Sequence, residues 1–259
     1  AKAFQKGSFA TPEQLIIGKT PGVRITSNGG MPGAGSRIRI RGGSSLNASN
    51  DPLVVIDGLP ANGLGMLNPS DIESFTILKD ASATAIYGSR AANGVILVTT
   101  KKGKAGGPLK VDLHVVNSTR EVTKSLDVLS PSQFVDMIND RGTNTQINRL
   151  ATASGYEKVN GSIVMSDSAR STDWQDEIYR TGSVQDINVA ITGGIANLPY
   201  RLSMGYYHEN GVLNRSDLKR YSLAINASPS FMDGRLTANV SGKVIKDDNF
   251  YANQGAIGT

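Results

Sequence analysis

Few side chains in this 259-residue sequence are spaced for covalent chemistry. The two histidines, His114 and His208, each fall inside an apolar–polar alternation, where a strand or pore-wall histidine is the simpler role. No His-Glu-x-x-His pair and no Gly-x-Ser-x-Gly elbow occurs. Asp173 and Glu177 could be imagined as a glycosidase pair, but nothing in the pattern positions them, and acids in a long loop ordinarily face solvent. The glycine-rich stretch Gly29-Gly30-Met31-Pro32-Gly33-Ala34-Gly35-Ser36 has phosphate-loop spacing between Gly30 and Gly35, yet Ser36 stands where the lysine is needed. It reads as a turn. Asp247-Asp248-Asn249 lacks the alternating spacing and central glycine of a calcium loop. With no cysteine, thiol catalysis, disulfides and zinc–thiolate sites are excluded. No catalytic residue, metal ligand or cofactor is therefore assigned.

Arg37, Arg39 and Arg41 share one face of a period-2 run, with Ile38 and Ile40 on the other. A nucleic-acid patch would show this, but aromatic residues for base stacking are not interleaved. The preferred reading pairs these guanidinium groups with carboxylates on an enclosing wall, where the planar fork tolerates partial burial. The net charge of +5 is too small and too scattered to argue for nucleic acid by itself.

The elements that must carry these residues change character near residue 107. Before it, short strands are expected over 23–26, 37–41, 53–56, 75–78 and 95–100. A turn capped by Asn68 or Ser70 is expected before the fourth of these strands, and a short alanine-rich helix over 81–87. Lys101-Lys102-Gly103-Lys104-Ala105-Gly106-Gly107 is the boundary. After it come long amphipathic strands: Leu109 to Val115, Ile187 to Ile191, Tyr200 to Tyr206, Tyr221 to Ala227 and Leu236 to Val244. With the polar residues that flank these alternations, each strand is expected to run roughly 9–11 residues, the length a tilted strand needs to cross a bilayer. Their connections alternate long and short. The first, of about 60–70 residues, carries a helix over 131–139 and the segment Thr172-Asp173-Trp174-Gln175-Asp176-Glu177. No apolar run approaches the ~18 residues of a transmembrane helix. A soluble β-sandwich alternates in the same way, but its strands are usually shorter.

Two stretches carry a family resemblance. Ile38-Arg39-Ile40-Arg41-Gly42 followed by Asn50-Asp51-Pro52-Leu53-Val54-Val55-Ile56-Asp57-Gly58-Leu59-Pro60 resembles the plug domain of TonB-dependent outer-membrane transporters. The run from Asn68-Pro69-Ser70-Asp71-Ile72-Glu73 through Val98-Thr99-Thr100-Lys101-Lys102-Gly103 is similar to the SusC/RagA branch of that family. Thr172 to Glu177 and Ser203-Met204-Gly205-Tyr206 resemble its first barrel segments.

The resemblance implies an α+β plug domain over 1–107. Antiparallel β-strands of a large transmembrane β-barrel follow, of which 108–259 would be the first five or so, with a long first extracellular loop. It implies location in the outer membrane of a Gram-negative bacterium, in contact with its lipid, and a chain several times longer, of about 22 strands. Ala1-Lys2-Ala3-Phe4 reads as the middle of such a chain. The expected activity is non-enzymatic: import of an oligosaccharide or a peptide, driven by TonB through a segment upstream and assisted by a SusD-like surface lipoprotein. Asn47, Asn50 and Asp51 are the expected substrate-facing plug residues, their amides and carboxylate suiting hydroxyl-rich ligands. Arg37, Arg39 and Arg41 are the expected plug–wall ion-pair residues. The alternative, from a different class, is a soluble extracellular β-rich glycan-binding or adhesion module.

Overall fold

The computed structural model describes residues 7–27, 31–40, 50–79, 86–167, 171–232 and 234–251. Arg41, Asn47 and most of the expected alanine-rich helix lie outside the described residues. By packing, the chain divides into Ala1–Glu121 with Thr181–Thr259, and Val122–Arg180.

In the first unit a short ribbon pairs β1 (Arg24–Ser27) with β2 (Ser36–Arg39). A four-stranded sheet follows, built from β3 (Leu53–Ile56), β4 (Leu59–Ala61), β5 (Ile72–Leu78) and β6 (Val95–Thr100) in the order β4-β3-β6-β5. β3 and β6 run parallel at its centre, and their unbroken apolar runs fit burial on both faces. Val54, Ile56, Ile96 and Val98 pack on one side against Ile38, Ile40, Leu64 and Leu67. Leu53, Val55 and Val95 pack on the other against Ala91. The Asp57-Gly58 corner joins β3 to β4 with both residues at positive φ, as a two-residue hairpin turn requires. Asn68 caps a 3₁₀ turn over Pro69–Asp71 by accepting the Ser70 N–H at 2.9 Å.

A five-stranded antiparallel meander completes this unit. It contains β7 (Lys110–Arg120), β10 (Gly182–Ile195), β11 (Leu198–Asn210), β12 (Asp217–Ala227) and β15 (Val240–Phe250), each beside its predecessor. The tiny ribbon β13 (Ser230–Phe231) with β14 (Leu236–Thr237) lies in the last connection. Strand β15 therefore begins later than the alternation from Leu236 indicates, and it runs on through the acidic Asp247-Asp248.

The register sorts this sheet into rows. Leu113, Val189, Met204, Leu223 and Val244 lie side by side across all five strands. Four of these are well exposed, from Leu223 at 43% to Leu113 at 67%. The opposite face buries Asp186, Asn188, Arg201, Ser203, Glu209, Arg220 and Asn226. The sheet is inside-out with respect to water. Outward apolar rows continue from the row of Ile187, Tyr206 and Tyr221 to that of Ile195 and Leu198. Eight residues at about 3.3 Å each, tilted by about 40°, give a band about 20 Å tall, near that of an outer-membrane barrel. The next row is polar: Asn117, Gln185, His208, Lys219 and Asp248. Tyr206 and Tyr221, with ring centroids 5.3 Å apart, mark the border between band and polar row.

The second unit, Val122–Arg180, has its own small core of Val135, Ile138, Ile147 and Ile163. Helix Pro131–Arg141 extends the expected helix by two residues. Helix Asn144–Ala151 and the hairpin of β8 (Tyr156–Val159) with β9 (Ser162–Met165) are additional to the sequence reading. Both helices open with a reciprocal capping box, Ser130 with Gln133 and Thr143 with Gln146. The segment containing Asp173 forms a short helix, Trp174–Ile178, and Asp173 is its cap. That carboxylate thus already accepts the backbone N–H groups of Gln175 and Asp176.

Candidate functional site

The polar face of the five-stranded sheet receives the domain built from the shorter strands. The turn at residues 68–71 meets that face through several side chains. Asn68 Nδ2 donates to Asn188 Oδ1 and to Ser222 Oγ, both at 2.7 Å. Asp71 Oδ1 accepts from Arg201 at 3.1 Å, with both side chains nearly fully buried. Thr192 Oγ1 accepts a further guanidinium N–H of Arg201 at 3.1 Å. Lys101 donates its backbone N–H to the Asp71 carbonyl at 2.9 Å and its ammonium to the Ser70 carbonyl at 2.7 Å. Burial and the neighbouring Arg201 charge together hold the Lys101 ammonium below its ordinary pKa.

A second ionic contact lies at the Asp57 corner. Asp57 accepts from the Thr100 N–H at 2.9 Å, the Thr100 hydroxyl at 2.7 Å and the Lys243 ammonium at 3.2 Å. Burial works to raise its pKa, but these three donors outweigh it and hold the carboxyl below its ordinary value.

A third set ties the beginning of the described chain to the sheet. Ser8 Oγ donates to Asp186 at 3.3 Å, and Arg220, itself held bidentately by Asp247 at 2.7 Å, donates to the Ala10 carbonyl. Ala10 packs among Val184, Tyr207 and Leu218. Gly33 is set against Leu218 so closely that a Cβ there would come within 2.7 Å of Leu218 Cδ2.

The inner domain also carries a cleft of about 900 Å³. Because β6 leads directly into residues 101–109 and β3 runs parallel to it, Asp57 and Thr100 mark one pole of the four-stranded sheet. Residues 50–52, 62–64 and 89–94 form the opposite pole, and the cleft opens among them. Its floor is Ile38, Leu53, Val54 and Leu64. Its rim carries Arg37, Asp51, Asn62, Ser89, Arg90 and Asn93. Acids, guanidinium groups and amides around an aliphatic floor can bind a polar solute, and no nucleophile–base pair is set up among them.

Of the residues singled out from sequence, Asp51 and Arg37 line this cleft, and Asn50 adjoins Asp51. Arg37 and Arg39 are exposed on β2, with Ile38 between them buried. Arg39 lies directly opposite Arg24 in the β1–β2 register, an unfavourable like-charge pair. Sequence reasoning missed the ion pairs Asp71–Arg201 and Asp57–Lys243, in which the inner domain supplies the carboxylate and the sheet the cation. It also missed the 89–93 segment of the cleft rim. The only signal for the pairs was an unexplained cation, Arg201 or Lys243, on the polar side of an alternating strand.

A mixed-sheet domain seated on the polar face of an apolar-out meander resembles the plug and wall of a TonB-dependent receptor. The family model "TonB-dependent Receptor Plug Domain" matches residues 1–95. Among such receptors its sequence is similar to SusC. It is 45% identical to the TonB-dependent receptor SusC of Bacteroides thetaiotaomicron over 98% of its own length and 24% of that protein. It is 43% identical to TonB-dependent receptor P3 of Formosa agariphila, over 83% of this chain and 19% of the relative. A solved structure of the RagAB peptide importer in an "open-open" state superposes with a TM-score of 0.74 at 24% identity, covering 96% of this chain and 30% of that one. The chain thus spans about a quarter of the length of SusC.

Proposed function

We propose that this chain is the gate and first wall strands of an importer in the outer membrane. Residues 1–107 act as the plug, and 108–259 supply the first five strands with a long extracellular connection. The observation that carries the reading is the burial polarity of the meander. Its apolar rows face outward in a band about 20 Å tall, and its charged rows grip a plug. A soluble glycan-binding module would bury the apolar face instead, so the import reading is preferred.

The cargo is an oligosaccharide or a peptide, entering from the pole where Asp51 lines the cleft and Asn50 adjoins it, and Asn47 is proposed as a further substrate-facing residue. Arg37, Arg39 and Arg41 meet carboxylates contributed by the rest of the wall. TonB acts from the periplasm on a segment N-terminal to the plug, and a SusD-like lipoprotein caps the extracellular mouth. No chemical conversion of the cargo is involved.

The test is made on the full-length protein in its native membrane. It should require detergent for extraction, show heat-modifiable migration, and support cargo uptake that disappears when TonB is deleted. Solubility in plain buffer, or uptake indifferent to TonB, would overturn the reading. Asn50→Ala with Asp51→Ala should reduce uptake without changing assembly. Unchanged uptake would remove that rim from the cargo path.

A further inference from the structure

The turn at residues 68–71 has more wall partners than any capping role requires. Asn188, Gly205 and Ser222 are directly opposite one another on β10, β11 and β12. The middle strand of this row has no side chain, and the two flanking residues are polar. Into that gap comes the Asn68 carboxamide. A Cβ on Gly205 would lie 2.2 Å from Asn68 Nδ2, 2.5 Å from Ser222 Oγ and 2.6 Å from Asn188 Oδ1. No rotamer adjustment of one neighbour would relieve all three. A glycine fits there because the Asn68 carboxamide, with Ser222 and Asn188 on either side, fills the side-chain volume.

The amide is fully committed. Its oxygen caps the turn through Ser70, and its nitrogen donates to both flanking wall residues. Three residues on, Asp71 meets the buried Arg201 farther along β11. Lys101 then ties the turn to the segment that becomes β7.

We propose that the Asn68–Asp71 turn is a key, and the Asn188–Gly205–Ser222 notch with Arg201 its lock, which together seat the plug in the wall. The seat works by shape and by donor count. Asparagine is needed because aspartate keeps the cap but offers no N–H to Asn188 and Ser222. Glycine is needed because any side chain on β11 fills the notch. Through Lys101 and the strands on either side of it, the seat fixes where β5 and β6 stand on the wall.

The test uses full-length protein purified in detergent, with protease cleavage within the plug as the readout and heat-modifiable migration as the check on wall assembly. Gly205→Ala should accelerate plug cleavage several-fold while the wall still assembles. Asn68→Ala alone should also loosen the plug, yet added to Gly205→Ala it should cost much less than the sum of the two, because it removes the nearest of the three clashes and frees Ser222 and Asn188 to turn away from the new methyl. That non-additivity is what a key and notch produce. Asn68→Asp should loosen the plug as much as Asn68→Ala. The proposal is overturned if Gly205→Ala leaves cleavage unchanged, if the two alanine substitutions simply add, or if Asn68→Asp behaves as wild type. Cargo uptake is a separate measurement. A normal seat with no uptake would count against the import reading and leave the seat intact.

Discussion

The four-stranded plug sheet and the five-stranded wall sheet obey the same backbone rules and choose opposite sides for their apolar residues. In the plug, Val95 and Ile96 point to opposite faces of β6, and both are completely buried. In the wall, Met204 is 59% exposed while its neighbour Ser203 is buried. Period-2 alternation therefore says that a strand separates two environments and leaves open which one is water. The wall reveals the answer through its buried residues. Arg201, Arg220 and Glu209 are retained on the concealed face because each has a charged partner there. A soluble sheet of this length would have to hide Leu113, Met204 and Val244 instead.

The contrast can be broken most forcefully where the two sheets meet. Arg201→Met strands the Asp71 carboxylate, and losing one member of a buried pair costs about 3–5 kcal/mol. The plug should become protease-sensitive, and a double substitution with Asp71→Leu should recover part of the loss. The next largest effect separates the faces of the wall. Leu223→Arg on the outward face should reduce assembly by about 2–4 kcal/mol if that row lies near mid-bilayer. The ratio of folded to unfolded bands in lipid vesicles measures it, and a neutral result would mean that this row is not in lipid. A finer contrast comes from one methyl group. Ile96→Val in the plug should cost about 0.5–1.5 kcal/mol, whereas Ile225→Val, half exposed on the outer face, should cost markedly less. Chemical unfolding of the two variants side by side decides this.

The gentlest perturbation is pH. The Asp57 carboxyl is held below its ordinary value in the folded protein. Its stabilising contribution is therefore complete above the normal carboxylate range, near pH 4. It is lost as pH falls through the lower folded-state value. Acidification should loosen the Thr100 and Lys243 contacts, seen as lower protection of the Thr100 amide relative to its intrinsic exchange rate at each pH. Asp57→Asn should show that lower protection already at neutral pH and little further change in protection on acidification.

How much of this was legible in the sequence varied with distance along the chain. The strands at 53–56 and 95–100 were read to the residue, because uninterrupted β-branched runs bounded by Asp-Gly and Asn-Gly turns leave little choice. The meander was legible from its alternation. The helix at Asn144–Ala151 and the β8–β9 hairpin were not, although Thr143 and Gln146 spell a capping box. That helix is short and polar, and only Ile147 among its residues is fully buried. The end of β15 was missed because Asp247 and Asp248 resemble a loop until Arg220 is found across the register from Asp247. The seat was beyond reach for a different reason. Asn68 meets Ser222 across 154 residues and Asp71 meets Arg201 across 130, and no local pattern encodes a pairing at such separation.

The outward apolar rows also determine what unfolding this molecule would register in a calorimeter. Exposing the plug core to water hydrates buried aliphatic carbon, and so carries the heat-capacity increment of an ordinary globular protein, about 12–15 cal/mol/K per residue. On the proposed import reading, the outer rows of the wall leave hydrocarbon when they unfold into water, and they enter no new medium at all when they unfold within a micelle. Two regions of one chain, linked through a single short basic segment, would thus absorb heat by different laws. The curvature of stability with temperature would belong to the plug, and the wall's stability would follow the amphiphile around it.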